Sequence, residues 1–282
     1  MPSLVEHASA GAFLERAGAW LREREDHHNL ILDFAQGMAA VWNGSPDALF
    51  ATVEEDVHVA GCVVRVAPHQ ALLTELPGGA ARAVGSFLAE RCDGLPGVVG
   101  PKAAALGVAR AWGELRGGTF REGMRQGLHR LDSVTLPERS SGRMRPARAE
   151  DARLVLEWCR AFAEDTGIDY TVTQATLNRW LTAGALQLWE AEGETVCMAV
   201  AQGRTEHGIR IGFVYTPPDQ RGRGHASGLV GVLSKRMLDD GCDFCVLYTD
   251  LANPTSNAIY RRLGYEMIGE VLDVHLIEPE VS

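Results

Sequence analysis

Between a strand-like run, Ile209 to Tyr215, and a run with one apolar helix face, Leu229, Val230, Leu233 and Met237, the chain reads Gln220-Arg221-Gly222-Arg223-Gly224-His225-Ala226. Two glycines one residue apart at a strand-to-helix turn imply either left-handed backbone angles or a close approach to another group. Such a turn can aim successive backbone N–H groups at one point, and the following helix adds the positive end of its dipole, so the segment suits an anion such as a pyrophosphate. A plain tight turn is the alternative. Arg221 and Arg223 either add charge beside the phosphates or point into solvent. The turn is not a Walker loop, because the lysine and the Ser/Thr after the final glycine are missing, and it is not the GxGxxG of a dinucleotide fold.

The 282 residues suffice for one large or two ordinary domains, and 46% hydrophobic content reads as globular. A net charge of −10 argues against phosphate-backbone binding and favours cationic partners through long-range attraction. Neither nucleic acid nor membrane is an expected partner. The N-terminal MPSLVEHASAGAFLER lacks the basic flank and apolar run of a signal peptide, and no run of about 18 apolar residues occurs. A cytoplasmic protein, monomer or homodimer, is the expectation. Of the six cysteines only Cys242 and Cys245 have CxxC spacing, with no second pair to complete a zinc site, so they read as reduced core thiols and no metal is expected. His27-His28, inside REREDHHN, reads as solvated helix surface.

The polar segment LPERSSGRMRP, with two prolines and no apolar periodicity, reads as a linker with a boundary near Ser140. The expected division is 1–137, a linker over 138–144, and 145–282. After the linker come a short strand at Arg145 and a helix with Leu154, Val155, Trp158 and Phe162 at helical spacing. A second helix starts at Thr173, and a hairpin turns at Glu192-Gly193-Glu194. The strand from Ile209, the helix from Ala226, a buried strand from Phe244 to Thr249, a helix from Pro254 to Leu263 and a final pair of strands from Tyr265 to Ile277 follow. The first half repeats this plan loosely. Its helical run is Phe13 to Phe34, its hairpin surrounds Glu54-Glu55-Asp56, and Ala71 to Leu76 is a third strand. Gly78-Gly79 then opens a helix to Arg91, Gly97 to Val99 is a short strand, Lys102 to Leu115 a helix, and Thr119 to Leu136 the last strands. An internal duplication is consistent with this order. Where the second half has QRGRGHA, the first has LPGGAAR.

Asn253-Pro254-Thr255-Ser256-Asn257-Ala258-Ile259-Tyr260-Arg261-Arg262-Leu263-Gly264-Tyr265 follows the buried strand. Together with QRGRGHA it resembles the GNAT N-acetyltransferase superfamily. The loop matches the Q/R-x-x-G-x-G/A signature at Arg221, Gly224 and Ala226, and NPxSxxxYxxxGY matches the second signature. GFVYTPPDQRGRGHASGLVGVLS with LYTDLANPTSNAIYRRLGY looks like a branch of acetyltransferases that carry an extra N-terminal region. The resemblance is strong from about Gly212 to Tyr265 and only topological in the first half. It implies an α/β (α+β) fold of tandem GNAT-like domains, each a mixed, mostly antiparallel central sheet flanked by helices. It also implies acetyl-CoA as cofactor and a small-molecule or peptide amine as acceptor.

The resemblance assigns cofactor binding to Val214, Tyr215, Thr216, the whole of Gln220, Arg221, Gly222, Arg223, Gly224, His225 and Ala226, and to Asn253, Ser256 and Tyr260. The strand ending Phe213-Val214-Tyr215-Thr216 would splay from its neighbour and offer Val214 N–H to the acyl carbonyl, where a preset donor stabilises developing charge. A fully paired core strand is the alternative. Tyr260 would protonate the leaving thiolate, a reasonable task for a phenol facing a thiol of pKa near 8.5, or else be a core aromatic. Asn253 before Pro254 also fits a helix cap, and Ser256 is divided between cap turn and cofactor. For the general base, the strand Ile209-Arg210-Ile211-Gly212-Phe213 carries no carboxylate, which leaves Glu190, Glu206, His207 and Asp250 as candidates. An N-acetyltransferase acting by direct attack in a ternary complex, with a degenerate first half, is the leading expectation. A non-catalytic acyl-CoA-binding or sensing protein is the alternative.

Overall fold

The structure is a computed structural model that describes residues 2–41, 48–138, 141–168 and 171–279. The boundary expected near Ser140 lies outside them. The chain divides into two compact units, Met1–Leu128 with Thr249–Ala252 and Ile268–Ser282, and His129–Tyr248 with Asn253–Met267. This differs from a cut in the polar linker, because the last strand of the chain joins the first unit. Linker composition marks where the chain is solvated, whereas strand exchange is decided by backbone pairing, which composition does not display.

The first unit is built from β1 (Ser3–His7), α1 (Ala10–Glu23), α2 (Glu25–Val41), β2 (Ala48–Glu55), β3 (His58–Val66), β4 (Ala71–Leu73), α3 (Ala80–Arg91), β5 (Gly97–Pro101), α4 (Lys102–Arg116) and β6 (Thr119–Leu131). Its sheet order is β1-β2-β3-β4-β5, then β12 (Glu266–Ile277) and β6. Only β4 and β5 are paired in parallel among the pairs described here, and β12 runs antiparallel to β5 from Val271↔Pro101 to His275↔Gly97. One face packs on α1 and α2 through Phe13, Ala17, Leu21 and Leu32. The other packs on α3 and α4, with Leu272 and Val274 of β12 inside the same core. The helical run expected from Phe13 to Phe34 is two helices, since Arg24 leaves helical geometry at φ −132°, ψ 58°. That break re-phases α2, and His28 is buried rather than solvated: its ring N–H donates to the Leu21 carbonyl (2.9 Å) and the ring stacks on Trp20. The edge strand β1, short and largely polar, carries no alternation that marks it as a strand.

The second unit contains β7 (Arg143–Pro146), α5 (Ala152–Thr166), α6 (Gln174–Thr182), β8 (Leu186–Ala191), β9 (Glu194–Gln202), β10 (Gly208–Tyr215), α7 (His225–Asp239), β11 (Phe244–Asp250) and α8 (Pro254–Leu263). Its strand order is β11-β10-β9-β8-β7, with β10 and β11 parallel and the other described pairs antiparallel. The architecture is α/β, a mostly antiparallel sheet with helices on both faces. One face carries α7 and α8 over Cys197, Ala199, Ile209 and Ile211. The opposite face carries α5 and α6 over Leu186, Leu188, Met198 and Val200. From Cys197 to Ala201 of β9, odd and even residues thus serve the two cores in alternation, as strand pleating requires. The pair of strands expected over Tyr265 to Ile277 is a single strand, β12, and the expected last strands of the first half are the single strand β6. Cys242 and Cys245 are buried thiols, and burial pushes Cys245 up to about 12.

Candidate active site

The site begins with a register break in β10. Against β9 it pairs Ile211↔Ala201 and Gly212↔Val200, then resumes at Tyr215↔Met198, so Phe213 and Val214 together oppose Ala199 alone. This is a one-residue β-bulge. Phe213 takes φ +51°, a left-handed angle unusual for a bulky side chain. The insertion reverses the pleat: Phe213 and Tyr215 pack with Trp180, Phe162 and Trp158 on the α5/α6 face, whereas Val214 turns to the α7/α8 face. On its other side β10 pairs β11 only from Gly208↔Phe244 to Arg210↔Val246. Beyond that pair the two parallel strands separate over four to five residues each, roughly 15 Å at 3.3 Å per residue. The splayed strand that the sequence resemblance implies is therefore present, and the bulge falls within it.

After β10 the chain makes a 3₁₀ turn, Pro218–Gln220, then reaches Gly222 at φ +77° and Gly224 at φ +83°. A side chain at either glycine would face no atom within 4 Å, so left-handed geometry, not crowding within the chain, explains both residues. Gly224 is the N-cap of α7 and offers no side-chain cap; its carbonyl accepts from Gly228 N–H (3.0 Å). The N–H groups of His225, Ala226 and Ser227 consequently have no acceptor within the helix. His225 itself is buried, and burial lowers its basicity, with the Arg223 charge adding to that and Glu192 opposing it. Arg223 is exposed and forms no ion pair among the described residues.

Arg221 is placed differently from the phosphate contact considered above. Its Nε donates to the Thr216 carbonyl (3.0 Å), its terminal nitrogen pairs with Asp165 on α5, and its guanidinium lies 5.8 Å from the Tyr215 ring centroid. Among the described residues Gln220 reaches only its neighbour Asp219. Thr216 donates its hydroxyl to the Cys197 thiol (3.2 Å), a buried group that burial pushes up to about 12.

On α8, Asn253 is the cap: its side-chain oxygen accepts from Ser256 N–H (3.1 Å), with Pro254 at the first helical position. Tyr260, 8% exposed, sits against Tyr265 at 5.9 Å between ring centroids and shares one core cluster with Val214, Ala226 and Cys197. Burial raises its phenol well above the ordinary value, with the Cys197 sulfur adding to the effect. No protein group is hydrogen-bonded to its hydroxyl among the described residues. Val214, Ala226, Tyr260 and Cys197 thus belong to one hydrophobic cluster, in which the Cys197 sulfur acts on the Tyr260 phenol.

The base candidates lie on different elements. Glu190 is held by Arg145 and Arg143, which keep its carboxyl below the usual range. Glu206 and His207 precede β10, at the end away from Val214 by seven residues of strand, roughly 20 Å. Asp250 belongs to the segment that packs with the first unit, and its Oδ1 accepts from Ala252 N–H (2.8 Å). Sequence reasoning missed Asp165, Cys197 and the left-handed Phe213, none of which carries a local signal of its role.

The equivalent strand of the first unit has no bulge. After Val63↔Leu73, Thr74 N–H donates to the Cys62 carbonyl (3.1 Å), which continues the ladder in register. A side chain at Gly100 of β5 would lie 2.7 Å from the Leu73 carbonyl oxygen, so β4 and β5 stay in contact where β10 and β11 have parted.

Residues 154–265 match the sequence model of the acetyltransferase (GNAT) family. No curated protein matches the sequence. Among solved structures the fold is similar to that of a Drosophila protein, at 15% identity over 95% of both chains with a TM-score of 0.65. It is also similar to a GCN5-related N-acetyltransferase from Sphaerobacter thermophilus, at 18% identity over 99% of this chain and 97% of that one, with a TM-score of 0.59. A tandem GNAT protein from the clavulanic acid biosynthesis pathway covers the whole of both chains at 14% identity and a TM-score of 0.53. At such identities the likeness is one of fold. The likeness in sequence to the acetyltransferase (GNAT) family rests on residues 154–265, less than half of the chain.

Proposed function

We propose that the protein transfers an acetyl group from acetyl-CoA to a primary amine by direct attack in a ternary complex. The observation that carries this reading is that Val214 on the bulge, Ala226 in the uncapped first turn of α7 and Tyr260 on α8 share one hydrophobic cluster. The residues fit the donor: an anion cradle without a side-chain cap, open space at two left-handed glycines, and a strand parted from its neighbour.

When bound, acetyl-CoA supplies the activated acyl carbonyl. The first turn of α7 and the Gly222–Gly224 turn hold its pyrophosphate through backbone N–H groups. Val214 N–H faces the carbonyl oxygen and favours the charge that develops there. Tyr260, kept neutral by burial, donates its proton to the departing sulfur. The amine must attack unprotonated, and water carries its proton away. The chain's acidity, net −10, draws amines that are cationic in solution.

The lack of a carboxylate in Ile209-Arg210-Ile211-Gly212-Phe213 favours a second reading, an acyl-CoA-binding or sensing protein without transfer. Release of free thiol from acetyl-CoA, followed across a broad panel of small amines, amino acids and peptides, separates the two. Amine-dependent release that is lost in Gly224→Val supports transfer. Saturable acetyl-CoA binding with no release by any amine supports sensing.

A further inference from the structure

Arg221 is tied to three groups of the second unit at once: the Asp165 carboxylate on α5, the Thr216 carbonyl and the face of Tyr215. Thr216 and Tyr215 are the residues that follow the bulge. Tyr215 is back in register with Met198 and lies 6.0 Å from Trp158, which α5 also carries. Thr216 is fixed a second time, through its hydroxyl on Cys197, whose sulfur also acts on the Tyr260 phenol. One guanidinium therefore links the start of the glycine turn, the end of the bulged strand and a helix on the opposite face. Its planar fork sets the direction of each bond, which an ammonium would not do. The ion pair with Asp165 is about half exposed on both sides, so its worth to global stability is small. Its worth is local, in fixing orientation.

Resting on the acetyl-CoA reading above, we propose that Arg221 is a positioning residue rather than a phosphate ligand: bridged to Asp165, it holds the end of β10, and with it the Val214 N–H, in place for the acyl end of the donor. The variants Arg221→Gln, Asp165→Asn, Asp165→Glu and Gly224→Val would be titrated with acetyl-CoA and with 3′-phospho-ADP, the nucleotide half of the donor, which reaches the glycine turn but not Val214. The expected result is that Arg221→Gln and Asp165→Asn weaken acetyl-CoA by roughly three- to tenfold, the loss of one charge-assisted bond, while 3′-phospho-ADP changes less than about twofold. Asp165→Glu, which keeps the carboxylate, should bind both ligands like the unaltered protein. Equal losses for both ligands in Arg221→Gln would make Arg221 a phosphate ligand and overturn the proposal. Unchanged acetyl-CoA affinity in Asp165→Asn would overturn it as well. The cradle reading is judged separately: Gly224→Val must lose both ligands, and if it keeps both, that reading is what fails.

Discussion

Tyr260 and Gly224 show how much one residue can carry here. The Tyr260 phenol, raised by burial beside the Cys197 sulfur, stays protonated at every pH below its ordinary value of about 10. A general acid of this kind imposes no alkaline loss of activity between pH 7 and 9, and the rate should rise with pH as the acceptor amine loses its proton. A rate that falls above pH 8 with the protein still folded would remove Tyr260 from that role. Tyr260→Phe keeps the ring contact with Tyr265 and loses only the hydroxyl. It should lower kcat about a hundredfold and leave acetyl-CoA affinity within about twofold. At this scale the sequence was legible where chemistry and backbone demand coincide. Glycines at 222 and 224 announce left-handed angles, and both are found. Phe213 has the same kind of angle and announces nothing, since a phenylalanine ordinarily signals a strand. The arginine of the loop was legible as charge, but its partner Asp165 lies 56 residues away in sequence, beyond any local pattern.

Among the elements, α8 was the most legible. Asn253-Pro254 opens it and Gly264, at φ +103°, closes it, as capping physics requires. Because the Asn253 side chain is spent on Ser256 N–H, Asn253→Ala should cost about 1 kcal/mol of stability in denaturant unfolding. Acetyl-CoA affinity should then change less than about twofold, and a tenfold loss would add a donor contact to the cap. The bulge in β10 lay outside what period-two reading can show, because an extra residue changes the register without changing the composition. The same limit divided β12, one strand, into an expected pair. Gly269 resembles a break, yet the strand passes through it.

For the molecule as a whole, the exchange of the last strand is the main departure from the expected cut near Ser140. Residues 268–282 complete the first unit, where Leu272 and Val274 are fully buried beside Val98 and Val84. Ending the chain at Met267 removes both, at about 1.5–3 kcal/mol for each side chain, and strips β5 of its antiparallel partner. Hydrogen exchange should then show the β5 and α4 amides losing protection. Unchanged protection there would mean that the first unit folds without β12. No helix among the described residues is long and apolar enough to cross a membrane.

The central claim is that the Gln220–Ala226 turn exists to hold the pyrophosphate of acetyl-CoA. It is tested most directly by calorimetric titration of the protein and of Gly224→Val with acetyl-CoA and with ATP. The account predicts saturable binding of acetyl-CoA to the unaltered protein, its loss in Gly224→Val, where a branched side chain cannot hold φ +83°, and no comparable binding of ATP. Acetyl-CoA affinity that survives Gly224→Val, or that never appears, would contradict it.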